Sequence, residues 1–297
     1  MHRTCQYLLL GLISLFTATL RAPAPEEKPD GKEIVSKTLT SIKLVRIASK
    51  GKTFTMGSPT TEKDRSDDEK EHEVKFTSDY YLGVTTITRG QFAAFVKDEG
   101  YQTEMERSDD GYGWDDDKKG WVKDKKYNWK NPGFAQTDAH PIINVSWNDA
   151  MAFCKWLSKK EGKIYRLPTE AEWEHACRAG TKTAYSFGDD PKELMKYGWF
   201  DGNADRKRQP VGQLLPNKWG LYDMHGNVYQ WTADWHDPDY YKNSPEADPR
   251  GPADGTNKVM RGGEFSYPAW ACRSAARKTR TPDYMTARTG FRVAFEQ

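Results

Sequence analysis

The stretch RLPTEAEWEHACRAGT, Arg166 to Thr181, holds a helix start, an apolar face and a helix stop in one short run. Thr169 stands three residues ahead of Glu172, a Thr-x-x-Glu capping box in which two backbone N–H groups are satisfied reciprocally. Trp173, Ala176 and Cys177 then share one face, and Gly180 closes the helix. Upstream, HPIINVSWNDAMAFCKWLSKKEG (His140 to Gly162) repeats the plan. Ser146 is the N-cap with Asp149 three residues on, Ala150, Phe153, Cys154 and Leu157 form the stripe, and Gly162 ends it. The spacing therefore turns both Cys154 and Cys177 towards the core.

Further out, GQFAAFVKDEG places Phe92, Phe95 and Val96 at helical spacing before Gly100, and VKFTSDYYLGVTTIT (Val74 to Thr88) alternates as strands do. Tyr101 to Phe134, rich in Asp, Lys, Gly and Trp, has neither period, so it reads as a long loop of the kind that often carries function. The charge run TEKDRSDDEKEHE (Thr61 to Glu73) reads as a solvated loop, with a cation-attracting surface as the alternative. After Gly180 come short strands and turns, ending in GFRVAFE with Phe291, Val293 and Phe295 alternating inward. Two main helices, short strands and long loops make residues 44–297 an irregular α+β domain.

The chain of 297 residues carries 45 basic and 43 acidic side chains, is 13% aromatic, and has a net charge of +2 that falls to about zero without Arg3 and Arg21. A mean hydropathy of -0.90 excludes a membrane-spanning bundle. The even mixing of charges gives no footprint for nucleic acid. Residues 1–24 have the form of a secretory leader: His2 and Arg3, an apolar stretch from Tyr7 to Leu20, then Ala22 and Ala24. Residues 25–43 read as a disordered linker. Export places Cys154, Cys177 and Cys272 where disulfides persist, and an odd number leaves one pair and one thiol over.

FTMGSP (Phe54 to Pro59), the two helical stretches, NKWGLYDMHGNVYQW (Asn217 to Trp231), RGGEF (Arg261 to Phe265) and GFRVAF (Gly290 to Phe295) together resemble the sulfatase-modifying-factor, or formylglycine-generating-enzyme, family. The resemblance implies a variant of the C-type lectin fold, and an oxidase that holds copper between two cysteines to convert a sulfatase cysteine to formylglycine. Two soft thiolates suit Cu(I). Counted from Gly263, the first of those positions is Tyr267 and the second is Cys272; counted from Ala275-Ala276-Arg277, Cys272 falls near a structural cysteine instead. Either way one thiol is present, so copper is not expected and Cys272 is the one catalytic candidate. Glu264 stands for the family's serine, Tyr229 for its tryptophan, and Arg288 for an asparagine near the cleft.

The same resemblance implies that Cys177 pairs with Cys272, leaving Cys154 free. It also implies a calcium site from the Asp223 side chain, the Gly226 and Val228 carbonyls and the Gln230 side chain. Hard oxygen donors suit calcium. Gln230 supplies a neutral amide where a carboxylate is usual, so the turn either holds calcium weakly or folds without it. The expected function is an exported, non-oxidase binding module for a protein, peptide or glycan, with a sulfatase as one such partner. Glu264, Phe265, Tyr267, Trp270, Arg273, Tyr229 and Arg288 are its candidate contacts, since aromatic and arginine side chains dominate recognition surfaces. A formylglycine-generating oxidase, or another chemistry in the same cleft, stands as the alternative.

Overall fold

The computed structural model describes residues 33–35 and 41–296. The expected leader, with Cys5, and most of the expected linker lie outside the described residues. Thirteen short strands occur among those described: β1 (Glu33–Val35), β2 (Lys43–Ile47), β3 (Thr53–Met56), β4 (His72–Lys75), β5 (Tyr80–Gly83), β6 (Tyr112–Asp115), β7 (Gly120–Lys123), β8 (Tyr165–Arg166), β9 (Tyr229–Trp235), β10 (Lys258–Arg261), β11 (Arg277–Arg280), β12 (Thr289–Phe291) and β13 (Ala294–Glu296). The α-helices are α1 (Arg89–Glu99), α2 (Glu104–Arg107), α3 (Trp147–Glu161), α4 (Glu170–Arg178) and α5 (Tyr240–Asn243). One sheet runs β1-β2-β5-β13-β8 and a second β11-β10-β9-β12, while β3-β4 and β6-β7 are separate hairpins. The result is a mixed α/β domain with few helices. Glu33–Val35, read from composition as linker, instead adds an antiparallel edge strand to β2.

Local chemistry sets the helices. Thr88 with Gln91, Ser146 with Asp149, and Thr169 with Glu172 each form a capping box, and Gly100 and Gly162 close α1 and α3 in the left-handed conformation. Helix α4 closes one residue earlier than its sequence suggests, on Ala179 at φ 46°. All nine residues of α4 are buried, its acids included. Each acid survives there because a guanidinium meets it: Glu172 takes Arg166 at 2.6 and 2.7 Å, Glu174 takes Arg178 at 2.8 Å and Arg261, and Glu170 takes Arg277 at 2.7 and 2.9 Å. Buried charge persists only where it is paired and hydrogen-bonded.

The first sheet is covered on both sides. Leu44, Tyr81 and Phe295 face a core shared with Phe92, Phe153 and Phe291, whereas Val45, Leu82 and Ala294 face one shared with Trp173, Ala176 and Cys177. Tyr81 stacks flat on Phe295, ring centres 4.4 Å apart. The alternation of Phe291, Val293 and Phe295 is thus real, but the intervening Arg292 and Ala294 are buried too.

Two loop readings change. Tyr101–Phe134 contains α2 and the β6-β7 hairpin, whose turn is held by Asp115 Oδ1 accepting from the Asp117 and Lys118 backbones. The charge run Thr61–Glu73 is not simply solvated. Glu62 and Glu69 both bind Arg273, and the Asp68 carbonyl accepts from Arg277 at 3.0 Å. Among the described residues no helix is long and apolar enough to cross a membrane.

Candidate binding cleft

Where the β6-β7 hairpin, residues 205–209 and the segment after β10 meet, the surface opens into a cleft of about 820 Å³. Gly262 and Gly263, at φ 98° and 71°, swing the chain off β10; a Cβ on Gly263 would lie 2.5 Å from the Cys272 Sγ. That turn brings Phe265 and Ser266 to the cleft wall and sends Glu264 beneath it, fully buried. Its carboxylate accepts from the Ser266 backbone at 2.9 Å and hydroxyl at 2.7 Å, with Arg288 at 3.8 Å. Burial raises the Glu264 pKa.

Opposite, Trp114 and Trp121 pair across the hairpin at 6.0 Å, edge to face. Between the walls lies Arg208, its guanidinium 4.3 Å from the Phe134 ring centre and 4.2 Å from that of Phe265. Its Nε donates to the Ala287 carbonyl at 2.6 Å, and its Nη2 is buried without a partner. Such a setting, flat aromatic faces around oriented donors, suits a ligand with a planar part and an anionic part.

The seven candidate contact residues do not all share this cleft. Phe265 and Arg288 line it and Glu264 underlies it. Tyr229 is buried with Tyr267 edge-on at 6.1 Å, and burial lifts its hydroxyl pKa well above the usual value. Trp270, 46% exposed, and Arg273 lie on a second groove of about 580 Å³, where Arg273 is bound to Glu62 and Glu69. Trp114, Trp121, Phe134 and Arg208 are absent from the sequence-based candidates. The one signal for the three aromatics was the length and tryptophan content of the Tyr101–Phe134 loop; nothing local marks Arg208.

Comparison with known proteins decides the family. The sulfatase-modifying factor enzyme 1-like domain matches residues 37–297. The chain belongs to this family. It is 35% identical over 289 residues to the formylglycine-generating enzyme of Thermomonospora curvata, covering 84% of this chain and 92% of that one. To the enzyme of Streptomyces coelicolor it is 34% identical over 249 residues, 72% and 77% of the two chains. The PvdO structure from Pseudomonas aeruginosa superposes with a TM-score of 0.77 at 30% identity, covering 91% of this chain and 99% of that one. Treponema denticola variable protein 1 gives 0.69 at 25% identity, covering 91% and 100%.

Two features implied by the sulfatase-modifying-factor resemblance are built differently here. The expected Cys177–Cys272 disulfide is not made: Cys154, Cys177 and Cys272 are all free, buried thiols. The side chain facing Cys177 from the Ala275-Ala276-Arg277 side is Ser274, Oγ to Sγ 3.7 Å, which cannot bridge. Cys272 packs instead under Gly263, and burial pushes the Cys177 thiol up to about 12 and the Cys272 thiol higher still.

The turn from Asp223 to Gln230 has Asp223 at φ 55° and Gly226 at φ 134°, where a Cβ would lie 2.2 Å from the Trp199 carbonyl oxygen. Its donor set does not fit calcium. Gln230 Oε1 accepts from Trp173 Nε1 at 2.8 Å and Arg292 Nε at 2.6 Å, so its amide nitrogen must face the Asp223 carbonyl, at 2.8 Å. Asp223 Oδ2 accepts from the Gly212 backbone at 2.8 Å. The oxygen expected to ligate is engaged by two donors, and a donor nitrogen stands in its place.

Proposed function

We propose that this chain is an exported binding module of the sulfatase-modifying-factor family, on a variant of the C-type lectin fold, whose cleft takes a peptide segment of another protein. The observation that carries this reading is the cleft itself: walls of Trp114, Trp121, Phe134 and Phe265 with arginine donors, while Cys272 is fully buried, packed with Ala184, Tyr185 and Leu194 and not among the residues that line the cleft. A single thiol without surface access offers no two-sulfur seat for copper at a peptide's cysteine. Export is proposed from the leader-like residues 1–24.

The test is selection of phage-displayed random dodecapeptides on the immobilised mature protein, with Trp121→Ala as the comparison. Enrichment of a sequence family by wild type and its loss with the variant supports the reading; no enrichment overturns it. The second reading, a formylglycine-generating oxidase, is favoured by the identity to enzymes of that name. Copper-loaded protein is given a peptide bearing the sulfatase cysteine motif and examined by mass spectrometry. Aldehyde formation abolished by Cys272→Ala would replace the binding-module reading, and absence of conversion is the expected result.

A further inference from the structure

We propose that Arg208 is the anchor for a carboxylate on the bound peptide, an acidic side chain or a C-terminus, seated beside an aromatic residue of the same peptide. This rests on the reading of the cleft as a peptide site and names the chemistry it selects.

Arg208 is 7% exposed, yet its Nη2 has no hydrogen-bond partner. A guanidinium carries five donors and no acceptor, and leaving a buried donor unpaired is costly; Nη2 itself has no accessible surface, so it is the rest of the guanidinium, where Arg208 lines the cleft, that a ligand oxygen would meet. Glu264 does not take that place. That carboxylate is turned to Ser266 and approaches Arg288, and no ion pair with Arg208 forms among the described residues. Phe134 and Phe265 fix the guanidinium plane, and the Ala287 carbonyl fixes its Nε edge, so the free edge has a set direction. Burial draws the Arg208 pKa down from its ordinary value, against an opposing Coulombic pull from the nearby Glu264 carboxylate, which makes no ion pair with it. Arg206, Lys207 and Arg288 add positive charge around the cleft against one lining acid, Asp205, which favours an anionic guest. Trp114 and Trp121 give the adjacent flat surface on which an aromatic side chain can stack.

The experiment takes the tightest dodecapeptide from the selection and compares synthetic versions with each Asp or Glu changed to Asn or Gln, and with the C-terminus free or amidated, by calorimetry on wild-type protein. Loss of at least tenfold in affinity from removing one carboxylate is expected, and a much smaller loss when the same peptides meet Arg208→Gln. Because Arg208→Gln could disturb the 205–209 segment, its melting curve is recorded and the carboxylate-to-amide comparison on wild type stands by itself. Peptides that bind equally with and without their carboxylates would overturn the anchor while leaving the peptide site intact. Failure to enrich any peptide would overturn the site itself. A folded Arg208→Gln protein that discriminates carboxylate from amide as strongly as wild type would place the anchor elsewhere.

Discussion

Trp173 donates its indole N–H to the amide oxygen of Gln230 at 2.8 Å, and that contact decides which end of the amide faces the Asp223 turn. Since Arg292 donates to the same oxygen, the nitrogen is left to meet the Asp223 carbonyl. The first expectation is therefore that calcium and chelator give the same melting temperature. Gln230→Glu should lose stability, by about 1–3 kcal/mol, because a carboxylate oxygen then faces a carbonyl oxygen. Millimolar calcium should restore that variant and leave wild type unchanged, a shift read directly by thermal denaturation.

The cysteines give a second expectation. Non-reducing mapping of the folded protein should find no Cys177–Cys272 peptide, with thiols that alkylate only on unfolding. Ser274→Cys should form a bridge to Cys177 across 97 residues, since Ser274 already faces that thiol at 3.7 Å. A loop of that size contributes about 2–4 kcal/mol when the geometry is unstrained, measured as a higher denaturation midpoint that reductant abolishes.

Arg261 is fully buried, bound to Glu174 and to the carbonyls of Ser274, Ala275 and Ala276. Arg261→Met should cost about 3–5 kcal/mol in urea unfolding, because one oxygen of the buried Glu174 carboxylate and three carbonyl oxygens lose this donor. Adding Glu174→Gln should not recover the loss, because the Glu174 charge keeps Arg178 at 2.8 Å and the Gly57 N–H at 2.9 Å on its other oxygen, and a double variant clearly more stable than the single one would contradict this account.

His225 sets a pH dependence. Its Nδ1 donates to the Cys272 carbonyl at 2.8 Å while Nε2 accepts from the Ser186 backbone N–H at 3.1 Å, so the neutral tautomer is fixed and protonation must break a bond. Burial lowers the folded pKa to about 4 from 6.5. A depressed histidine pKa means the stabilisation is full above the unfolded value and is lost as pH falls from 6.5 towards 4. The stability difference between wild type and His225→Gln should shrink by roughly 3 kcal/mol from pH 7 to pH 4. Urea titrations of both proteins at several pH values read that slope; a constant difference would contradict it.

What could be read in advance follows the range of the interactions. The caps at Ser146 and Thr169 were legible because each box closes within three residues. The destination of the α4 acids was not, since their arginines lie as far as 107 residues away. The charge run misled for the same reason: Arg273, more than 200 residues on, is what draws Glu62 and Glu69 inward. Phe265 and Arg288, which line the cleft, were legible as candidates because they sit in or beside recognisable motifs. Arg208 and Phe134 come from segments without periodicity, and only folding brings their side chains together. The expected disulfide went astray over a shift of two positions, which sequence counting cannot resolve but packing does.

Strand β13 lies between β5 and β8, pairing Ala294 with both Leu82 and Arg166. Without β13 the first sheet would fall into β1-β2-β5 and the two-residue β8, with no strand pairing between them. Closure of the first sheet therefore joins residues 80–83 and 165–166 through a strand more than 120 residues further along the chain, a non-local pairing of the kind that forms slowly.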